Sequence, residues 1–164
     1  MSACLERLKA LFAENGVRYE AQRHRMVFTS QAVAAELHEK GAHVAKVVIA
    51  WADGKLVMLV LAAPDHVDFE KVMKLLGAEY VRAAREDEFK FRFPDCEPGA
   101  MPPFGNLYQM PTYLERKLSR QTELVLQAGT HQDTLKISMA DYLRLAAPSI
   151  ADFALRPHPA EHAG

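Results

Sequence analysis

Hydrophobic residues along the chain recur with two different spacings. At three- and four-residue intervals they mark residues 3–14, 30–40, 68–76 and 140–146, which predicts four amphipathic helices. Shorter apolar runs separate the helices and predict strands over residues 17–22, 43–51, 56–63, 78–84, 106–115, 123–129 and 135–139. Asp53-Gly54, between two strongly apolar runs, predicts a tight antiparallel hairpin.

This order of elements predicts one α/β domain of the α+β type. Its sheet should be mixed and largely antiparallel, flanked by helices, without the regular alternation of a doubly wound fold. The length of 164 residues suits a single domain with its own core, which we assign to residues 1–150. We expect the chain to be poorly ordered from Pro148 onward, with residues 151–164 as a flexible tail.

Composition and charge exclude several classes of function. A formal net charge of -1 argues against a protein that grips long stretches of nucleic acid, so DNA is not an expected partner. No apolar stretch approaches the roughly 18 residues of a membrane span, and the first residues lack the apolar core of a secretion signal. Cys4 and Cys96 lie outside any metal-ligand spacing and indicate neither a disulfide nor a zinc site. We therefore expect a cytoplasmic protein with no metal, no cofactor and no membrane partner.

A lysine interrupts the apolar run AHVAKVVIAW. Because successive side chains of a strand alternate between its faces, Lys46 shares a face with Val44 and Val48, and both faces are apolar. The ammonium either extends along the sheet into water or faces a site, where it would donate to a carbonyl or a phosphate. The apolar surroundings modestly favour the site.

The proline-rich segment PDCEPGAMPPFG is the second candidate. Gly99 permits a backbone conformation or a close ligand approach that a Cβ would forbid, while Pro102 and Pro103 fix φ and remove two amide hydrogens. The amides of Gly99, Ala100 and Met101 are therefore candidate donors to an oxyanion. Composition alone favours the alternative, a rigid connection between strands.

Other chemistry finds no support in the sequence. His24, His43 and His131 fit no metal-binding motif, and we expect them on the surface. The chain has no glycine-rich phosphate loop after a strand and no G-x-S-x-G elbow, so nucleotide hydrolysis and serine nucleophiles are not indicated.

Several segments in order resemble one known family. They are the strand AKVVI, the hairpin VVIAWADGKLVMLVLAA, the segment LLGAEYVRAA, the G-x-x-x-P loop from Gly99 to Pro103 and the stretch AGTHQDTLKISMADYLRL. Over residues 18–147 they resemble the YbaK family, or aminoacyl-tRNA-synthetase-associated domain, which includes the editing insertion of bacterial prolyl-tRNA synthetases and its free-standing relatives. The resemblance implies a curved mixed sheet and hydrolysis of the ester that joins a wrongly attached amino acid to tRNA. The implied partners are the acceptor end of aminoacyl-tRNA and an aminoacyl-tRNA synthetase.

The resemblance also suggests which residues form the site. The family's lysine maps to Lys46, which we assign a catalytic role together with Gly99 and Ala100. The expected substrate-binding residues are Phe28, Thr29, Met101, Pro102, Pro103, Gly129, Thr130 and His131. The chain departs from the family pattern at residues 108–113, so no acidic role is transferred there.

Two other functions remain open from the sequence. One is a non-catalytic module of the same fold that binds the tRNA end or a synthetase. The other, a weaker alternative, is a pocket protein for a free small metabolite. Hydrolysis of mischarged tRNA would distinguish the enzyme from both.

Overall fold

The computed structural model describes residues 3–26, 29–37 and 39–156. The helices are α1 Ala3–Glu14, α2 Ser30–Glu36, α3 Phe69–Leu76, α4 Glu86–Phe89, α5 Arg116–Ser119 and α6 Met139–Ala146. The strands are β1 Glu20–Arg23, β2 Ala45–Ala52, β3 Lys55–Ala62, β4 Val81–Ala83, β5 Thr112–Glu115, β6 Glu123–Gln127, β7 Asp133–Ser138 and β8 Ser149–Ala151. No helix among these residues is long and apolar enough to cross a membrane.

The strands form two sheets, which confirms the predicted mixed α/β class. One sheet has the order β1-β7-β6 and is antiparallel throughout. The other has the order β4-β2-β3-β5-β8, in which β5 runs parallel to both of its neighbours. A parallel bridge between Val44, the residue before β2, and Val125 of β6 joins the two sheets. This junction is called the β2–β6 seam.

Turn and capping residues set the element boundaries. The β2–β3 hairpin turns at Asp53 (φ 47°) and Gly54 (φ 87°), the conformation that the Asp-Gly pair predicts. Thr29 caps α2, because its hydroxyl accepts the amide of Ala32 at 3.0 Å. The helix ends at Glu36, short of the predicted Lys40.

Sheet β4-β2-β3-β5-β8 separates two hydrophobic clusters. On one face, Ala45 and Ile49 pack in the main core with Phe104 and residues of α1. On the other face, Ala50 packs in a smaller cluster with Val72 of α3 and with Phe153. Successive β2 residues therefore alternate between two buried environments, as the apolar pattern of this strand predicts.

The prediction of disorder from Pro148 onward is wrong for residues 148–156. Strand β8 pairs with β5, and Phe153 is fully buried. The buried carboxylate of Glu115 accepts the amides of Phe153 and Ala154 at 2.6 and 2.8 Å. These charge-assisted bonds and the buried ring hold the segment on the sheet, although its proline content suggests a loose end. Residues 157–164 lie outside the described residues.

Two other predictions differ from the structure. Only Thr112–Glu115 of the predicted strand 106–115 is extended, because Gly105–Tyr108 forms a 3-10 turn that ends at Gln109 with φ 56°. Helix α6 begins at Met139, one residue before the predicted start, because the hydroxyl of Ser138 caps it by accepting the amide of Asp141. Both differences shift boundaries and leave the order of elements unchanged.

Candidate active site

Lys46 lies on the face of β2 that α2 and α3 cover. Its neighbour Ala45 belongs to the main core, whereas Val44 packs with α2 residues and Val48 packs against the cluster under α3. By alternation, Lys46 lies between these last two clusters. The hydroxyl of Ser30, at the start of α2, donates to the carbonyl of Ala45 at 3.3 Å, so the first turn of α2 lies beside the lysine.

The lysine ammonium is partly buried and held by a polar turn. Its Nζ donates a hydrogen bond to the main-chain carbonyl of Asp65. Burial lowers the pKa of Lys46 below its ordinary value, and the negative charge of Asp65 opposes that effect. An ammonium in such a position can donate to a substrate oxygen in exchange for the carbonyl of Asp65.

The seam between the sheets brings a second polar side chain to the same face. Val44 bridges to Val125 in parallel, and Gln127 stands two residues beyond the bridge on β6, as Lys46 does on β2. Gln127 is only 7% exposed, and its Nε2 donates to no partner among the described residues. A buried amide nitrogen without an acceptor suits a ligand oxygen, since leaving the group unpaired is costly.

The predicted glycine loop lies at the end of β6. The amide of Gly129 donates to the carbonyl of Ala100 at 2.9 Å, and the amide of Glu97 donates to the carbonyl of Gly129 at 2.7 Å. Gly99 has φ 86°, and a Cβ added there would meet Cε1 of His131 at 3.4 Å. The structure therefore brings the G-x-x-x-P loop and the turn at residues 129–131 together.

His131 is a structural partner of this loop. It is 7% exposed, so the prediction of a surface histidine is wrong here. Its amide donates to the Glu97 carboxylate at 2.7 Å, and its Nε2 lies 2.8 Å from the carbonyl oxygen of Pro98. Thr130 holds the same turn through a 2.6 Å hydrogen bond to the carboxylate of Asp133.

The loop amides differ in their availability. The amide of Ala100 donates to the carbonyl of Glu97 at 3.0 Å, so it is not free to hold an oxyanion. The amide of Gly99 points to the thioether of Met101 at 3.2 Å, which is a weak acceptor. Gly99 is therefore the better donor candidate of the two, and the expected role of the Ala100 amide is not supported by its hydrogen bonding.

The two prolines make the loop rigid. The carbonyl of Pro103 accepts the buried hydroxyl of Tyr142 at 2.7 Å, and that of Pro102 accepts the amide of Phe104 at 2.8 Å. Burial raises the pKa of Tyr142, so this phenol stays protonated as a donor. A rigid loop keeps the Gly99 amide in one orientation.

The predicted residues thus fall into two groups. The loop and residues 129–131 are in mutual contact, whereas the hydrogen bond of Lys46 goes to Asp65 and none of its described bonds reaches the loop. Strand β6 connects the groups, since its Val125 bridges to Val44 near the lysine and Gly129, after its end, contacts the loop. Thr29 lies at the first turn of α2, and Phe28 lies outside the described residues.

Two polar residues near Lys46, Gln127 and Asp65, are not indicated by the sequence pattern. Gln127 is the last residue of an otherwise ordinary apolar strand, and Asp65 lies in a polar turn of a kind that is common on protein surfaces. A signal existed only for Gln127: its side chain is polar at the end of ELVLQ, directly before the turn at residues 129–131.

Known proteins match this chain over most of its length. Residues 24–145 match the family described as the aminoacyl-tRNA editing domain. A protein of Escherichia coli strain K12, the multifunctional Ser/Thr-tRNA deacylase ProXp-y, is 26% identical over 156 residues, which are 90% of this chain and 91% of that protein.

Solved structures share the fold. One, described as a candidate trans-editing enzyme for prolyl-tRNA synthetase, superposes with a TM-score of 0.81 at 18% identity, over 95% of this chain and 99% of that one. The hypothetical protein APE2540 superposes with a TM-score of 0.80 at 17% identity, over 90% of this chain and 99% of that one. From the match over residues 24–145, this chain belongs to the aminoacyl-tRNA editing domain family.

Proposed function

We propose that this protein is a trans-editing deacylase that hydrolyses the ester bond between tRNA and a wrongly attached amino acid. The observation that carries the proposal is a partly buried lysine on β2 together with a buried amide on β6 that has no acceptor among the described residues, on the strand that leads to the glycine loop. Because the chain belongs to the aminoacyl-tRNA editing family, the substrate class that we propose for these residues is aminoacyl-tRNA esters. Charged tRNA is used in the cytoplasm, which is where we propose the protein acts.

The reaction adds water across the ester. The water oxygen bonds to the carbonyl carbon, the bond from that carbon to the ribose oxygen breaks, and the ribose oxygen gains a proton. Negative charge develops on the carbonyl oxygen in the tetrahedral intermediate. A preorganised donor at that oxygen can lower the barrier by about 3 kcal/mol without a side-chain nucleophile.

Each proposed residue has one role in this step. The amide of Gly99 donates to the developing oxyanion, because its present acceptor is only a thioether. The ammonium of Lys46 leaves the Asp65 carbonyl and donates to the substrate carbonyl, ribose or terminal phosphate. Nε2 of Gln127 donates to a polar group of the bound aminoacyl end. Thr29, at the first turn of α2, would border the entrance to this face.

A separate editing site makes physical sense. A synthetase separates amino acids that differ by one methylene by only about 1–3 kcal/mol, which leaves errors for a second site to remove. The name of the Escherichia coli relative specifies seryl and threonyl esters. We propose these two as the first substrates to test, with alanyl and cysteinyl esters as comparisons and a synthetase as an optional partner in the mixture.

The test is single-turnover hydrolysis of these esters by the purified protein. We expect acceleration of at least one ester and a large loss of rate in Lys46→Met. Lys71→Met is the matched control, because Lys71 is also partly buried and donates to a main-chain carbonyl, that of Ala154, at 3.0 Å. Binding of tRNA without acceleration of any ester would favour the non-catalytic module instead. Wild-type rates in Lys46→Met would remove the lysine from the mechanism.

A further inference from the structure

The fold brings the two cysteines together although 91 residues separate them in the sequence. Cys4 lies in the first turn of α1 and is 1% exposed, and Cys96 lies in the segment that leads into the glycine loop. Sγ of each cysteine and a carboxylate oxygen of Asp95 all lie within 4.8 Å of one another. Two thiols and a carboxylate around one point form a potential metal-ligand set that the sequence spacing did not reveal.

The separations of these atoms suit a tetrahedral ion. With metal–sulfur bonds of about 2.3 Å and metal–oxygen bonds of about 2.1 Å, tetrahedral ligands stand about 3.8 Å apart for two sulfurs and about 3.6 Å for a sulfur and an oxygen. Sγ of Cys96 lies 3.5 Å from Oδ1 of Asp95. Small side-chain adjustments would therefore complete the three protein corners.

Tyr108 orients the carboxylate. Its hydroxyl donates to Oδ1 of Asp95 at 3.0 Å and lies 3.4 Å from Sγ of Cys96 and 3.8 Å from Sγ of Cys4. A hydrogen bond from an outer group to a ligating carboxylate is a common support of metal sites. The fourth corner would then be filled by water.

The surrounding charge would be balanced by a divalent ion. Two thiolates and one carboxylate carry three negative charges. Arg7 supplies one positive charge, with Nη1 at 3.7 Å from Oδ2 of Asp95 and its guanidinium 5.1 Å from the centre of the Tyr108 ring. A divalent cation supplies the other two and makes the cluster neutral, which favours its partial burial.

An ion can reach the cluster from solvent. A cavity of about 550 Å³ opens beside it, and its lining includes Asp95, Cys96, Glu97, Gly129 and Thr130. A proposed metal site needs such a path.

We propose that Cys4, Cys96 and Asp95 bind a zinc ion. Soft thiolate ligands with one carboxylate favour Zn²⁺ over Mg²⁺ or Ca²⁺. Binding displaces the protons of both thiols into solvent and leaves the oxidation state of sulfur unchanged. The ion would fasten the start of α1 to the segment that leads into Glu97. The main chain and the carboxylate of Glu97 in turn hold the turn at residues 129–131. This proposal is independent of the deacylase activity.

Cobalt titration of the reduced protein tests the site. The sequence has only these two cysteines, so thiolate-to-cobalt absorption in the near ultraviolet can come from nowhere else. We expect one Co²⁺ per chain, with an intensity that corresponds to two thiolates, displaced by Zn²⁺ with an apparent dissociation constant below about 1 µM. Cys96→Ser should lose the band and Asp95→Asn should weaken binding at least tenfold, whereas Asp87→Asn, at an exposed aspartate, should change neither.

Two results would overturn the proposal. One is the absence of a thiolate band in the reduced wild-type chain, which needs no variant and does not depend on how variants fold. The other is formation of a Cys4–Cys96 disulfide in air, seen by mass spectrometry, in a protein whose reduced form binds no zinc. In that case the pair would be a redox element and not a metal site.

Discussion

Replacement of Gly99 by alanine separates a catalytic role of the loop from a structural one. Gly99 has φ 86°, a region that side chains with a Cβ rarely adopt, and the added Cβ would meet His131 Cε1 at 3.4 Å, an ordinary contact distance. The expected loss of stability is therefore backbone strain alone, about 1–3 kcal/mol. For a chain of this size each kcal/mol lowers Tm by about 2–4 °C.

Gly54→Ala is the matched control. Gly54 has φ 87° in the β2–β3 hairpin, and an added Cβ meets nothing within 4 Å. Both variants should lose similar stability in thermal melts. Only Gly99→Ala should also lose kcat for deacylation, by at least about tenfold, since loss of a complete oxyanion donor costs about 100- to 1,000-fold and here the amide is only displaced.

The comparison gives a clear refutation. Equal Tm shifts with unchanged kcat in Gly99→Ala would show that the Gly99 amide takes no part in the reaction. Equal loss of activity in both variants would show that reduced stability, and not the loop, limits the rate.

Three further predictions concern packing and charge. Gly105→Ala should destabilise the protein strongly in urea melts, because a Cβ would lie 2.6 Å from the carbonyl oxygen of Met110. The hydrogen bond from Arg82 lowers the pKa of Glu88 to about 2. The ionised Glu88 therefore stabilises the folded protein fully above its ordinary pKa of 4.5, and this stabilisation is lost as the pH falls toward 2. Glu88→Gln should therefore show a smaller fall of stability with acid. Burial lowers the pKa of Lys46, so the lysine holds its proton more tightly in the unfolded chain than in the folded one. The stability of the wild type should therefore rise relative to that of Lys46→Met as the pH rises toward 10.5.

Local signals predicted much of the fold correctly. Helix α1, the Asp53-Gly54 hairpin and helix α3 follow from spacing, turn and capping residues that act within a few positions of each other. The position of β8 did not follow, because Glu115 and the buried Phe153 hold it through contacts between residues 38 positions apart. No local pattern encodes such a contact.

The same distinction applies to the candidate site. Lys46 and the glycine loop stand out in sequence, the first as a charge among apolar residues and the second through its glycine and prolines. Gln127 became visible only when the Val44–Val125 bridge placed β6 beside β2. The proximity of the two cysteines likewise depends on how α1 packs on a distant segment.

A double-mutant cycle on Lys46→Met and Gly99→Ala tests most directly whether the lysine and the loop serve one site. Single-turnover deacylation rates of wild type, both single variants and the double variant give the coupling between them. If Lys46 and the Gly99 amide hold the same carbonyl oxygen, their effects should be coupled, and the double variant should lose less rate than the product of the two single losses. If the two losses simply multiply, the two groups are not coupled, and the claim that both hold one oxyanion is wrong.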